Sequence, residues 1–389
     1  MKQKLWILTT VVDSLDSLLE GQPGFLNQYF DVTIVSSPSD RIANVAEREG
    51  VCWKAVEMRR TIAPLHDLLS IWRMFRLLRK HRPDIIQSYT PKAGLVTMIA
   101  GRLARVPRRV HGIVGMPLME AQGIRRSLMK LAEQFTYFNA TALTSNSFGL
   151  RDFVHARLTK KIVTVIGNGS INGVDINHYS LANDNDNDND NDNVRTSLGI
   201  SDQNTVFVYV GRLVPDKGII ELIEAFVELA DSHFDVDLLL VGEQEEKLTP
   251  LPIRTREKMA CSDRIHAIGW HFDVRPYLAA ANVFVLPSYR EGLPNSVIEA
   301  GAMSLPSIVT DINGCNEVII EGVNGFLIPI KNSSILFSTM NEIMKGGIEL
   351  RVLGDAARQQ VVEFYGRNFL WHKILDFYQH LGEEPTYCR

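Results

Sequence analysis

"NVFVLPSYREGLPNSVIEAGA", residues 282–302, sets an apolar run, a short polar loop and a helical pattern end to end. "NVFVLPS" is an unbroken apolar run, as in a strand covered on both faces. "YREGLP" is a loop. Pro294 suits the first turn of a helix that should run over 295–303. A strand that turns straight into a helix is half of a βαβ unit.

The plan recurs along the chain. "TVFVYVG", "VDLLLVG", "RIHAIGW" and "PSIVTD" flank the quoted stretch. In the first half "KLWILTTV", "DVTIVSS", "DIIQSYT", "RRVHGIV", "ATALTSN" and "KIVTVIG" alternate with helical stretches such as "LHDLLSIWRMFRLLRKH". Such alternation predicts parallel sheets with right-handed crossovers. A length of 389 residues exceeds one ordinary core and suits two domains. The fold class is therefore α/β, with two Rossmann-like, doubly wound parallel-sheet domains. The first takes residues 1–170 and the second 171–366, with the break near the Gly- and Asn-rich "GNGSINGVDINHY" (167–179). The amphipathic "WHKILDFYQHL" belongs to a C-terminal helix, 367–389, that should pack back on the first domain. "NDNDNDNDNDN", residues 183–193, has no apolar side chain to bury and reads as a tolerated surface loop. Its D-x-D matches follow from repetition alone.

Composition excludes several classes. Hydrophobic content of 45% and charged content of 22% are those of an ordinary globular protein. The net charge of −4 hides an asymmetry: residues 1–161 hold 24 Lys and Arg against 13 Asp and Glu, and acids prevail beyond. A basic half suits anionic partners, and reads equally as a solvated surface. Cys52, Cys261, Cys315 and Cys388 are far apart, which argues against a disulfide framework or a zinc site and fits a reducing cytoplasm. The apolar run from Leu5 to Val12 lacks a cleavage site and reads as a buried first strand. No stretch approaches the roughly 20 apolar residues of a membrane span.

Chemistry concentrates in two segments. In "VYVGRLVPDKGIIELIEAF" (208–226) a strand ends at Gly211, Arg212 and Lys217 follow in the loop, and Gly218 opens a helix. A helix N-terminus beside two cations can hold a diphosphate. In the opening segment Glu291 sits in the loop, where an α/β protein faces its ligand. Glu299 lies about one turn into the helix, where a carboxylate should stay ionised and accept hydrogen bonds from a ribose diol. Taken alone, Glu299 reads more readily as a favourable first-turn acid and Glu291 as a solvated loop residue.

Taken together and in order, these motifs resemble the GT-B glycosyltransferases of family 4. The E-x7-E pattern is Glu291/Glu299, "GRLVPDKG" resembles the diphosphate loop, and "NGCNEVIIEGVNGFLI" resembles the segment that follows. The resemblance implies a GT-B fold whose two domains face a cleft. It implies that Arg212 and Lys217 bind the donor diphosphate, Glu299 the ribose and Glu291 the sugar, with Gly211 and the Gly292, Leu293, Pro294 and Asn295 main chain lining the donor site. It further implies retention of configuration and no metal or other cofactor, since fixed cations can stabilise the leaving phosphate.

The first half, from "YTPKAGLVTMIAGRLARVPRRVHGIVG" onward, resembles enzymes of bacterial surface-polysaccharide assembly, including those that extend undecaprenyl-diphosphate-linked sugars. The expected reaction moves a hexose or N-acetylhexosamine from a UDP-sugar to a lipid-linked or growing glycan, as in capsule or O-antigen synthesis. Lys92, Gly94 and His111 are the candidate acceptor or cleft residues. Where the family has His-Gly this chain has Val114–Gly115, and His111–Gly112 stand three residues earlier. Arg73, Arg76, Arg79, Arg125 and Arg126 suit peripheral contact with an anionic membrane, on the inner face of the cell membrane. Trp72 and Phe75 read as the inward side of an ordinary amphipathic helix. No nucleic-acid partner is expected. The alternatives are a nucleotide-sugar epimerase on the same fold and a non-catalytic glycan-assembly subunit.

Overall fold

Every strand pairing in the two sheets is parallel. A computed structural model describes residues 2–59, 63–119, 121–180, 194–245 and 249–382; the Asn-Asp repeat at 183–193 and Cys388 lie outside the described residues. The first sheet holds β1 (Lys4–Leu8), β2 (Asp31–Ser36), β3 (Cys52–Ala55), β4 (Ile85–Ser88), β5 (Arg108–Ile113), β6 (Ala142–Ser145) and β7 (Val163–Val165), in the order β3-β2-β1-β4-β5-β6-β7. The second holds β8 (Thr205–Val210), β9 (Val236–Val241), β10 (Ile265–Gly269), β11 (Val283–Leu286), β12 (Ser307–Thr310) and β13 (Gly325–Ile328), in the order β10-β9-β8-β11-β12-β13. The winding reverses between β1 and β4 in one sheet and between β8 and β11 in the other. Open α/β sheets bind ligands at such reversals, beyond the carboxyl ends of the strands.

Both faces of the first sheet are covered. Leu5 and Ile7 of β1 enter one apolar core, and Trp6 and Leu8 enter another on the opposite face. This period-two alternation, apolar on both sides, is what makes the strands near-continuous apolar runs. β3 and β13 are not among the expected strands. Both are four-residue edge strands, and β3 ("CWKA") leaves every side chain exposed or half-buried, so no apolar run marks it.

The chain forms two units. One comprises residues up to Asn172 together with the segment from Asn368 onward, and the other is Gly173–Arg367. The helix Arg367–Gln379 supplies Leu370, Ile374, Leu375 and Tyr378 to the core that holds Leu5, Phe30 and Val110. Tyr378 also donates to Gln87 Oε1 at 3.0 Å. Within the second unit the two passages of chain nearest the break are bonded to each other: Val174 N–H donates to Tyr365 O (2.9 Å), and Arg367 N–H to Val174 O (2.8 Å).

Candidate active site

Three loops of the second unit meet beyond the carboxyl ends of β8, β11 and β12. The first runs from Gly211 to Gly218, the second from Pro287 to Pro294 and the third from Asp311 to Gly314. Asp216 joins the first two. Its carbonyl accepts from Tyr289 N–H (2.9 Å) and Ser288 Oγ (3.4 Å), and its carboxylate pairs with Arg290 at 3.2 Å. Gly218, with φ 73°, lets the first loop pass against the second: a Cβ there would lie 2.0 Å from Pro287 O. Gly314, with φ 83°, does the same for the third, where a Cβ would lie 2.1 Å from Gly292 O. Asn313 Nδ2 donates to Glu291 O (3.3 Å), and Thr310 Oγ1 to Ser288 O (2.5 Å).

This stitching brings Lys217 and Glu291 into contact. Lys217 Nζ lies 2.5 Å from Glu291 Oε1, and both side chains are largely buried. A cation and a carboxylate from opposite sides of the β8/β11 reversal thus share one spot. Two helices start beside them. Asn295–Ala302 has Pro294 as N-cap, and Ile219–Ser232 has Gly218; neither cap side chain accepts a hydrogen bond. First-turn N–H groups at such ends favour anions. Pro294 thus stands one position outside the helix, where its ring offers no acceptor. Gly211 closes β8, and its N–H donates to Val241 O at 2.9 Å. Arg212 is exposed and turned to Glu245, 2.8 Å away. Gly292 and Asn295 are half-buried, and Leu293 and Pro294 are buried.

Glu299 lies in the second turn of its helix, half-buried. Burial pushes its carboxyl up to about 7, and the charge of Arg367 only partly offsets this. The helix N-terminus favours the ionised form, as expected, and burial opposes it. Tyr179 lies in the field of Glu299, Asp273, Arg275 and Arg367, and burial raises its hydroxyl strongly. Cys315 is buried and its thiol is raised, first by burial and then by Glu291.

Tyr179, Arg367, Cys315 and the Tyr289–Glu221 contact (2.6 and 2.7 Å) were not singled out in the sequence. Cys315 stands inside "NGCNE", the one signal that could have found it. The others come from segments far apart in the chain.

Lys92, Gly94 and His111 lie in the first unit. Lys92 pairs with Asp67 at 2.6 Å. His111 is buried, its Nδ1 is 2.9 Å from Ser88 Oγ, and burial lowers its pKa to about 4. A Cβ on Gly94 would lie 2.4 Å from His111 Cε1. Gly94 and His111 thus pack against each other, and the glycine lets the Pro91–Leu103 helix seat against β5. Among the described residues no group of three or more His, Cys, Asp or Glu is placed to hold a metal ion, and no helix is long and apolar enough to cross a membrane.

A loop cation, a loop carboxylate and open helix N-termini at the reversal of a parallel sheet form a place suited to an anionic ligand. Residues 204–346 match the family described as Glycosyl transferases group 1, and residues 24–169 match the Glycosyl transferase 4-like domain. The two matches take in most of the chain, and it belongs to this glycosyltransferase family. The capsular polysaccharide biosynthesis glycosyltransferase CapM of Staphylococcus aureus is 29% identical over 97% of each chain. An Escherichia coli UDP-Gal:alpha-D-GlcNAc-diphosphoundecaprenol alpha-1,3-galactosyltransferase is 26% identical over 90% of this chain and 89% of its own. Among solved structures, Anabaena HepE in complex with UDP superposes with a TM-score of 0.80, at 19% identity, over 97% of this chain and 100% of the other. The fold is GT-B, and the protein is a glycosyltransferase.

Proposed function

We propose that this glycosyltransferase moves a hexose or N-acetylhexosamine from a UDP-sugar to an undecaprenyl-diphosphate-linked acceptor during surface-polysaccharide assembly, with retention of configuration and without a metal. It would act in the cytoplasm, at the inner face of the membrane that carries its acceptor. The observation that carries the reading is the Lys217–Glu291 pair between two uncapped helix N-termini at the β8/β11 reversal. The relatives of known acceptor point the same way, since the Escherichia coli enzyme's name specifies a diphosphoundecaprenol acceptor.

In this reading the donor diphosphate lies on the helix N-termini and draws Lys217 from Glu291. Arg212 turns from Glu245 to the same phosphates. Glu291 is then left to address the sugar, and Glu299 the ribose. The anomeric C–O bond to phosphate breaks, a C–O bond to the acceptor forms, and the acceptor's hydroxyl proton leaves with the nucleoside diphosphate. Charge growing on the leaving phosphate meets Lys217 and fixed N–H dipoles.

The test is nucleoside diphosphate release by purified protein. Release should require a lipid-diphosphate acceptor, whereas an epimerase would convert the donor alone. Glu291→Gln should lower kcat by at least about 100-fold and shift Tm by less than about 4 °C. Near-normal turnover in that variant would remove Glu291 from the site. Chelator should leave the rate unchanged; inhibition reversed by Mn²⁺ would overturn the metal-free reading.

A further inference from the structure

Asp216–Lys217 and Arg290–Glu291 are neighbouring residues of opposite charge, acid first on one loop and base first on the other. The fold lays the two dipeptides side by side. Asp216 meets Arg290 at 3.2 Å, and Lys217 meets Glu291 at 2.5 Å, each pair spanning 74 positions of chain. Four charges that sum to zero therefore bridge the loops. A donor does not treat the two pairs alike. A diphosphate competes with the Glu291 carboxylate for Lys217, and once it succeeds the Lys217–Glu291 bridge is open. Something else must then hold the loops in register.

The Asp216–Arg290 pair is built to do so. Asp216 and Lys217 share the single 3-10 turn Pro215–Lys217, so a shift of one carries the other. The Asp216 carbonyl also takes Tyr289 N–H at 2.9 Å, and Ser288 Oγ donates to Arg290 O at 3.0 Å. Tyr289 is itself held at both ends. Its hydroxyl donates to Glu221, in the first turn of the Ile219–Ser232 helix, and Lys331 Nζ lies 4.9 Å from its ring centroid. Lys331 reaches the ring from a backbone at φ 55°, which a non-glycine residue keeps only where its surroundings impose it. The Arg290 and Asp216 side chains are 31% and 27% exposed, and an ion pair so wetted contributes little to stability. Its value lies in placement, since moving a site by about 1 Å can cost about 100-fold in rate.

We propose that Asp216 and Arg290 are positioning residues, whose ion pair persists when the donor takes Lys217 from Glu291 and keeps Lys217 aimed at the diphosphate. The role rests on the proposed donor site, since it is the diphosphate that claims Lys217. Calorimetry on the whole chain measures binding of UDP and of inorganic pyrophosphate. Asp216→Asn and Arg290→Gln should each weaken both by about tenfold, and the double variant by no more than about twice either single change, because the second change finds no pair left to break. Tm should shift by less than about 4 °C in all three. The deciding background is Lys217→Met: with no ammonium left to aim, Arg290→Gln should there cost less than about twofold. Wild-type affinity in either single variant overturns the proposal, and so do multiplied losses in the double. An Arg290→Gln loss undiminished by Lys217→Met also overturns it, because Arg290 would then be a phosphate ligand itself. A wild type that binds pyrophosphate and not UDP would overturn the uridine donor, while the variants still decide the brace through pyrophosphate. A wild type that binds neither overturns both.

Discussion

Burial pushes the carboxyl of Glu299 up to about 7, and in the proposed reading it must be ionised for a ribose diol to donate to it. If the ionised form binds the donor, the donor KM should fall about tenfold between pH 6 and pH 8. Glu299→Gln should abolish that slope while raising KM, and an unchanged slope would remove Glu299 from the donor site. The same shift has a stability sign. Glu299 and Glu133 both stand at about 7, against an ordinary 4.5. Their contribution is full below about 4.5 and is lost as pH rises through 7, so Tm should fall over that window, less steeply in Glu299→Gln. The sequence shows that these glutamates exist and how far apart they stand. It does not show which one loses its water, because the Arg367 and Tyr179 that surround Glu299 come from other segments. The Lys217–Glu291 contact is hidden for a related reason: loops 74 residues apart meet only once β8 and β11 are neighbours.

The loops around the site are held by contacts that leave no space for a side chain. Gly218→Ala would place a methyl against Pro287 O and hold a non-glycine residue at φ 73°. The expected cost is about 2 kcal/mol or more, a fall in Tm of about 4–8 °C, with donor affinity lost as the two loops separate. Full donor affinity in that variant would show that the loops act independently. At this scale the sequence is most legible where a strand is central. β8, β9, β11 and β12 are largely apolar because both faces are covered, and each reads as a run in the sequence. β3 lies at an edge with no buried side chain, and there the run dissolves. Helices mislead differently. Trp72 reads as the inward side of an amphipathic helix, yet it is exposed, and Asp67 and Ser70 face the core instead. Periodicity gives the faces of a helix but does not say which face the fold will use.

The first unit is assembled from both ends of the chain. Leu370, Ile374, Leu375 and Tyr378 are buried in it, and at about 1.5–3 kcal/mol for each buried side chain they account for about 6–12 kcal/mol. That is comparable to the whole stability of a typical domain, about 5–15 kcal/mol. A chain ending at residue 366 should therefore keep a folded second unit and lose the first. Limited proteolysis should cut within residues 2–172 and spare 194–366; protection of both would show that the C-terminal helix is dispensable. The separation also orders synthesis. The strands of the first sheet leave the ribosome before the second unit, but one face of that sheet, with Leu5, Phe30 and Val110, waits for the helix Arg367–Gln379 made after it. The contiguous second unit can complete itself in the interval. The nascent first unit must meanwhile keep an apolar surface out of wrong contacts, and a chain broken off early cannot bury it. Only synthesis through Gln379 yields a lasting first unit, because the helix Arg367–Gln379 completes its core.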